Sequence, residues 1–223
     1  MKTLLLAILA SILLPSFAGA AQLEVGVGLA RAVDHGDGVW YDASFPHSLS
    51  LHAPTLEVGL RGDVTPGLAW HFDAVDLGHY GSSALVVPDA QYAPGTQTGC
   101  NGPCQPFMHY SGSGGIWGVQ GLLEAHTQGA WQFGVEAGPF VYHESWTLDV
   151  PDWYGANPAQ ITPVAFSQSQ WAVGAVVGLS IRHHGLGLSM RYYSDGHGFA
   201  EHGTDPWPPI WKGQFVLMGT DQF

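Results

Sequence analysis

Across residues 171–182 the chain changes character at almost every position. Trp171, Val173, Ala175, Val177, Leu179 and Ile181 stand against Ala172, Gly174, Gly178, Ser180 and Arg182. Successive side chains of a strand leave opposite faces, so an apolar residue at every second position describes an extended segment with one face in an apolar environment. A helix would repeat every three to four residues instead. The same alternation recurs in seven other segments, and nothing else in the sequence restricts the fold as strongly.

Taken in order, residues 22–32 set Leu23, Val25, Val27 and Leu29 against Glu24, Gly26, Gly28 and Ala30, and residues 55–61 set Leu56, Val58 and Leu60 against Glu57, Gly59 and Arg61. Leu68, Trp70, Phe72 and Ala74 oppose Ala69, His71, Asp73 and Val75 until the pattern slips near Asp76, as it would at a β-bulge. Trp117, Val119, Gly121 and Leu123 oppose Gly118, Gln120, Leu122 and Glu124. Trp131, Phe133, Val135, Ala137 and Val141 oppose Gln132, Gly134, Glu136, Gly138 and Tyr142. Leu186, Leu188, Met190 and Tyr192 oppose Gly187, Ser189, Arg191 and Tyr193, and the last stretch, 210–223, puts Phe215, Leu217, Gly219, Asp221 and Phe223 on one face. The connections are long at 33–52, 81–115, 144–168 and 194–209, and short at 62–67, 127–129 and 183–185. Long and short therefore alternate, which gathers every long connection at one end. A soluble sandwich shows the same alternation within strands but has no reason to sort its loops this way, whereas an up-and-down membrane barrel does.

Hydrophobic residues make up 46% of the chain and charged residues 11%, yet no apolar run approaches the length of about 18 residues that a spanning helix needs. The apolar content is dispersed along strands. Glu24, Glu57, Arg61, His71, Asp73, Glu124, Glu136, Arg182 and Arg191 all fall on the faces opposite the apolar ones. A Lys or Arg on the lipid face at mid-membrane costs about 2–4 kcal/mol, so these nine residues are expected inside, as a mutually satisfied polar network. Interior glycines such as Gly59, Gly134 and Gly178 are expected to leave room for water. Aromatic residues mark two belts: Trp70, Phe72, Trp131, Phe133 and Phe223 beside the short turns, and Trp117, Tyr142, Trp171, Tyr192 and Trp211 toward the long connections.

The first residues carry a positive start at Lys2, an apolar core over 4–14 and small residues Ala18-Gly19-Ala20, the pattern of a secretory signal peptide cleaved near Ala20. This divides the chain into a signal peptide, 1–20, and one barrel domain, 21–223. A formal net charge of −12 makes nucleic acid and anionic surfaces poor partners. Cys100 and Cys104, in Cys-Asn-Gly-Pro-Cys, are expected to close a small disulfide loop in an oxidising, exported setting.

With its terminal Phe223, its signal peptide and eight alternating segments, the mature chain resembles the small eight-stranded outer-membrane β-barrels, the class that includes the OmpA transmembrane domain, OmpX, OmpW and the lipid A-modifying barrels. The resemblance implies an all-β, antiparallel, up-and-down transmembrane barrel with long extracellular loops and short periplasmic turns, sited in the outer membrane of a Gram-negative bacterium. It implies contact with outer-membrane lipids and lipopolysaccharide, and a barrel-assembly machinery that reads Phe223, although Asp221 stands where a hydrophobic residue is usual. The expected protein is a monomer without cofactor, structural or surface-interacting and non-enzymatic. Two other readings are a narrow pore or small hydrophobic-ligand conduit, and a deacylase-like lipid A-modifying hydrolase. The latter rests on His109-Tyr110-Ser111, which resembles the His-x-Ser element of lipid A deacylases, where the His activates the Ser if a carboxylate orients it. No such carboxylate is evident in the sequence. His35, His47, His52, His79, His109, His143, His197 and His202 lie in or beside the long connections without ligand spacing, so no metal site is expected.

Overall fold

The computed structural model describes residues 21–34, 47–50, 52–86, 108–151, 164–194 and 211–223. The expected signal peptide and the Cys100–Cys104 loop lie outside the described residues. The strands are β1 (Gln22–Asp34), β2 (His47–Ser50), β3 (His52–Thr65), β4 (Leu68–Val86), β5 (Met108–His126), β6 (Trp131–Val150), β7 (Val164–His183), β8 (Leu186–Ser194) and β9 (Trp211–Gln222). Every neighbouring pair is antiparallel, and β9 returns to pair with β1 from Glu24 opposite Gln222 to Asp34 opposite Trp211. The sheet thus closes on itself. The terminal residue extends the seam, because the Phe223 N–H donates to the Leu23 carbonyl at 2.9 Å.

Short β2 pairs with the far end of β4, His47 opposite Ala84 and Ser50 opposite Gly81, in line with β3. Together they form one stave, so the barrel has eight. Following the register round the wall from Gln22, through Arg61, His71, Val176, Tyr193 and Gln214, returns to β1 at Ala32, ten residues further along. With strands about 4.8 Å apart, that stagger tilts them about 40° from the barrel axis.

The slip in the pattern at Asp76 is a bulge. Pairing of β4 with β5 shifts between Asp76 and Gly78, leaving Leu77 as the extra residue. Gly78 has φ 86°, which favours glycine, and its N–H donates to the Asp76 carboxylate at 2.8 Å. The short turn before β8 likewise uses two left-handed residues, His184 at φ 49° and Gly185 at φ 87°, the geometry that matches strand twist in a two-residue hairpin.

Four staves are longer than the alternation suggests. Residues 81–86, 108–115, 144–150 and 164–168, assigned from the sequence to long connections, are strand. In β6 the alternation continues with its sign reversed, Ser145, Thr147 and Asp149 now sharing the parity of the apolar positions below, whereas in β5 it fades into Ser111-Gly112-Ser113-Gly114. β4 to β7 thus have 19 or 20 residues each, whereas β8, β9, β1 and β3 have 9 to 14. Among the described residues, with β2 continuing the line of β3, the wall from the β2/β3 stave to β7 rises above that of β8, β9 and β1.

Candidate functional site: a layered barrel interior

Glu24, Glu57, Arg61, His71, Asp73, Glu124, Glu136, Arg182 and Arg191 are all buried inside the ring. The structure brings them together in two layers. Nearest the short turns, Arg182 Nη1 donates to Glu24 Oε2 at 2.7 Å, and the Gln222 amide donates to the same oxygen at 2.7 Å. Arg61 Nε donates to Glu124 Oε2 at 3.3 Å, and His71 Nε2 lies 2.9 Å from that oxygen. The other His71 nitrogen is 3.9 Å from Glu24 Oε1, so the imidazole stands between two carboxylates. One step further in, Arg191 Nε and Nη2 grip both oxygens of Glu136 at 2.6 and 3.3 Å, while Nη1 donates to Glu57. Gln120 then ties Glu57 to Asp73, donating to both at 3.0 and 2.9 Å.

Gln120, Gln222 and Ser180, whose hydroxyl donates to Glu124 Oε1 at 2.5 Å, are not among the residues singled out in the sequence, yet each shares the inward parity of its strand. Parity was the available signal; their neutrality hid it.

The glycines in this region are seats for side chains, in contrast to the water space expected of them. A Cβ on Gly59 would meet the Asp73 side chain and backbone, one on Gly134 the side chains of Glu124 and Ser180, and one on Gly178 those of Glu136 and Arg191. Among Glu24, Glu136, Arg182, Arg191 and Thr220 the remaining gap admits no water-sized sphere.

Toward the long connections the interior turns apolar. Phe140 stacks on Tyr142 at 5.1 Å and meets the Tyr193 ring edge-on at 5.1 Å. Leu77, Tyr80, Ile116, Val176, Val216 and Met218 join them in one buried cluster. Tyr142, expected from the sequence in the outer aromatic belt, is 2% exposed and belongs to this layer, as its inward parity requires. The Tyr80 hydroxyl donates to the Leu77 carbonyl at 2.8 Å, which satisfies it within the apolar layer. Beyond the layer comes one more polar pair, the Gln170 amide donating to Glu144. Among the described residues, no group of His, Cys, Asp or Glu is arranged to hold a metal ion.

Ser111 lies within β5, opposite Ser83 and Asp149, and its side chain is exposed. The His109 side chain lies outside the described residues.

The exterior is the inverse of the interior. Val27, Leu29, Phe72, Phe133, Val135 and Val173 are 57–64% exposed, and two outward charged residues, Arg31 opposite Phe215 and Asp76 opposite Trp117, stand beside residues of the outer aromatic belt. Asp221 is outward by parity and half-buried at the short-turn rim. At one end Trp131 stacks on His183 with ring centroids 4.3 Å apart. At the other, Trp117, His143 and Trp171 form a cluster 5.2–5.6 Å apart, and Tyr192 packs on Phe215 at 4.9 Å. Ten residues separate Phe133 from His143 along β6, roughly 26 Å of barrel axis at the tilt given above. That matches the height of about 25 Å of the lipid-facing band of outer-membrane barrels.

A closed ring of eight antiparallel staves, with charge inside and an apolar band between two aromatic belts outside, defines a small transmembrane β-barrel of the outer-membrane type. Among solved structures the chain is similar to Ail, the attachment invasion locus protein of Yersinia pestis, at 10% identity and TM-score 0.45, covering 92% of this chain and 99% of that one. It is also similar to the outer membrane protein OprG from Pseudomonas aeruginosa, at 8% identity and TM-score 0.46, covering 92% and 97%. Neisserial surface protein A is similar at 12% identity and TM-score 0.38, covering 92% and 99%. No family model and no curated protein matches the chain.

Proposed function

We propose that this barrel is a non-conducting, non-enzymatic structural or surface-interacting protein of the outer membrane, whose outward surface at the long-connection end carries its role. The observation that supports the reading is the filled interior. Paired charges occupy one half of the ring, and Phe140, Tyr142 and Tyr193 cross the other. An ion following the axis would have to shed its water to pass a layer of packed rings and aliphatic side chains, where the Tyr80 and Tyr193 hydroxyls and the Gln214 amide offer it neutral dipoles in place of a hydration shell. A small hydrophobic molecule would meet the opposite obstacle in the charged half.

Single-channel recording of the reconstituted protein in planar bilayers tests this reading. Silence is expected; reproducible conductance steps would overturn it. The hydrolase alternative is weighed by lipid A mass spectra from cells producing the protein or its Ser111→Ala variant. Identical spectra are expected, since exposed Ser111 faces outward among other hydroxyl residues; a deacylated species that vanishes with the variant would restore the enzyme.

A further inference from the structure

Above the Trp117–His143–Trp171 cluster, the tall side of the barrel presents three successive outward rows across β4, β5, β6 and β7. The first holds His79, Gly115, Ser145 and Ser169; the second Gly81, Ser113, Thr147 and Ser167; the third Ser83, Ser111, Asp149 and Ala165. Ser83, Ser111, Ser113, Thr147, Ser167, Ser169 and Asp149 are exposed. Ser113 and Thr147 hydroxyls lie 3.2 Å apart, and Thr147 donates to the Ser113 carbonyl at 3.1 Å, which fixes that pair at the centre of the sheet face. Below them Trp117 and Trp171 are 49% and 60% exposed.

We propose that this face is a docking surface for the neutral saccharide head group of a glycolipid in the outer leaflet. The inference rests on the membrane-barrel reading and deepens it. Position carries the first argument. The rows continue the lipid-facing wall upward from the outer aromatic belt, so they stand at the level of head groups. Chemistry carries the second. Hydroxyls and a carboxylate accept and donate to the diols of sugar rings, and exposed Trp faces provide an apolar platform for their C–H faces. Charge carries the third. The three rows contain no Lys or Arg, so the cationic forks that bind phosphate are missing from them, and Asp149 repels an anion. Sugar, and not the phosphate of the same lipid, is therefore the group recognised.

The test uses the full barrel, folded in detergent and immobilised. Retention is measured for lipopolysaccharide with its core saccharide, for lipid A without core sugars, and for phosphatidylglycerol. Core-bearing lipopolysaccharide is expected to bind roughly tenfold more tightly than the other two, and Thr147→Val/Ser167→Val to remove roughly that factor, as the loss of two hydroxyl contacts would. Trp171→Leu is expected to weaken binding, and Trp131→Leu at the opposite belt to leave it unchanged. Equal retention of all three lipids, indifference to the double variant, or loss of binding on chelation of divalent cations would each overturn the proposal. A dimer in size-exclusion chromatography that the double variant dissolves would assign the face to a second copy and also overturn it. Heat-modifiable gel mobility separates these failures from failure of the barrel reading, which would abolish the mobility shift in the unmodified protein.

Discussion

Replacing Arg191 by Met tests the interior network where it is most heavily committed. Arg191 is 2% exposed and holds both oxygens of Glu136 and one of Glu57, while Asp73 is linked to Glu57 through Gln120. Methionine fills much of the same length but leaves Glu57, Glu136 and Asp73 facing one another without their cation. Removing one partner from a buried ion pair costs about 3–5 kcal/mol, because the charge left behind has no solvent to replace it. With a urea dependence of about 2 kcal/mol/M, the unfolding midpoint is expected to fall by roughly 2 M. The assay is urea unfolding in detergent, followed by tryptophan emission and by gel mobility. Two further changes sharpen it. In Arg191→Met/Glu57→Gln/Glu136→Gln the stranded charges are gone, and most of the lost stability is expected to return. A single variant shifted by less than about 0.5 M, or a triple variant no better than the single, would refute the account of the network as mutually dependent charges.

Gly59→Ala is expected to cost about 1–3 kcal/mol in the same assay, since its Cβ would overlap Asp73, whereas Gly121→Ala, whose Cβ would meet nothing within 4 Å, is expected to stay within about 0.5 kcal/mol. Truncating the apolar layer in Phe140→Ala/Tyr193→Ala is expected to leave planar bilayers silent, because the gap among Glu24, Glu136, Arg182, Arg191 and Thr220 still admits no water-sized sphere; conductance steps from the folded variant would mean that the apolar layer alone closes the barrel. Asp221→Val is expected to raise the yield of assembled barrel in outer-membrane fractions, because a carboxylate at the lipid side is replaced by an apolar residue; a lower yield would contradict the outward register of β9.

The staves were legible because one physical contrast, lipid outside and charge inside, is written into every second residue. The bulge at Asp76 and Gly78 was visible as a break in that rhythm, and the nine interior charged residues followed from parity alone. The upper ends of β4 to β7 were not, because Ser111-Gly112-Ser113-Gly114 and Ser167-Gln168-Ser169-Gln170 have lost the contrast. Phe140 and Tyr193 show a different limit. Parity placed Tyr193 inside, but only the packed structure shows its ring edge-on against Phe140, which stacks in turn on Tyr142 within one buried cluster. Nor can parity say that Arg182 reaches Glu24, since that contact depends on how far round the wall each stave stands. Gly59 and Gly178 read as empty space for the same reason: what fills them comes from the neighbouring strand.

The partners in the interior are separated widely along the chain. Glu24 is held by Arg182 and Gln222, and Glu57 by Arg191, so carboxylates of the first strands wait for groups from the last. A chain that curled into a ring of the wrong number of staves, or closed with β9 slipped along β1, would strand those acids against lipid or against one another. Correct closure is thereby distinguished from incorrect closure by charge as well as by hydrogen bonding at the seam. The interior discriminates the correct ring from misclosed ones, because its pairs form only when β7, β8 and β9 stand in register against β1 and β3.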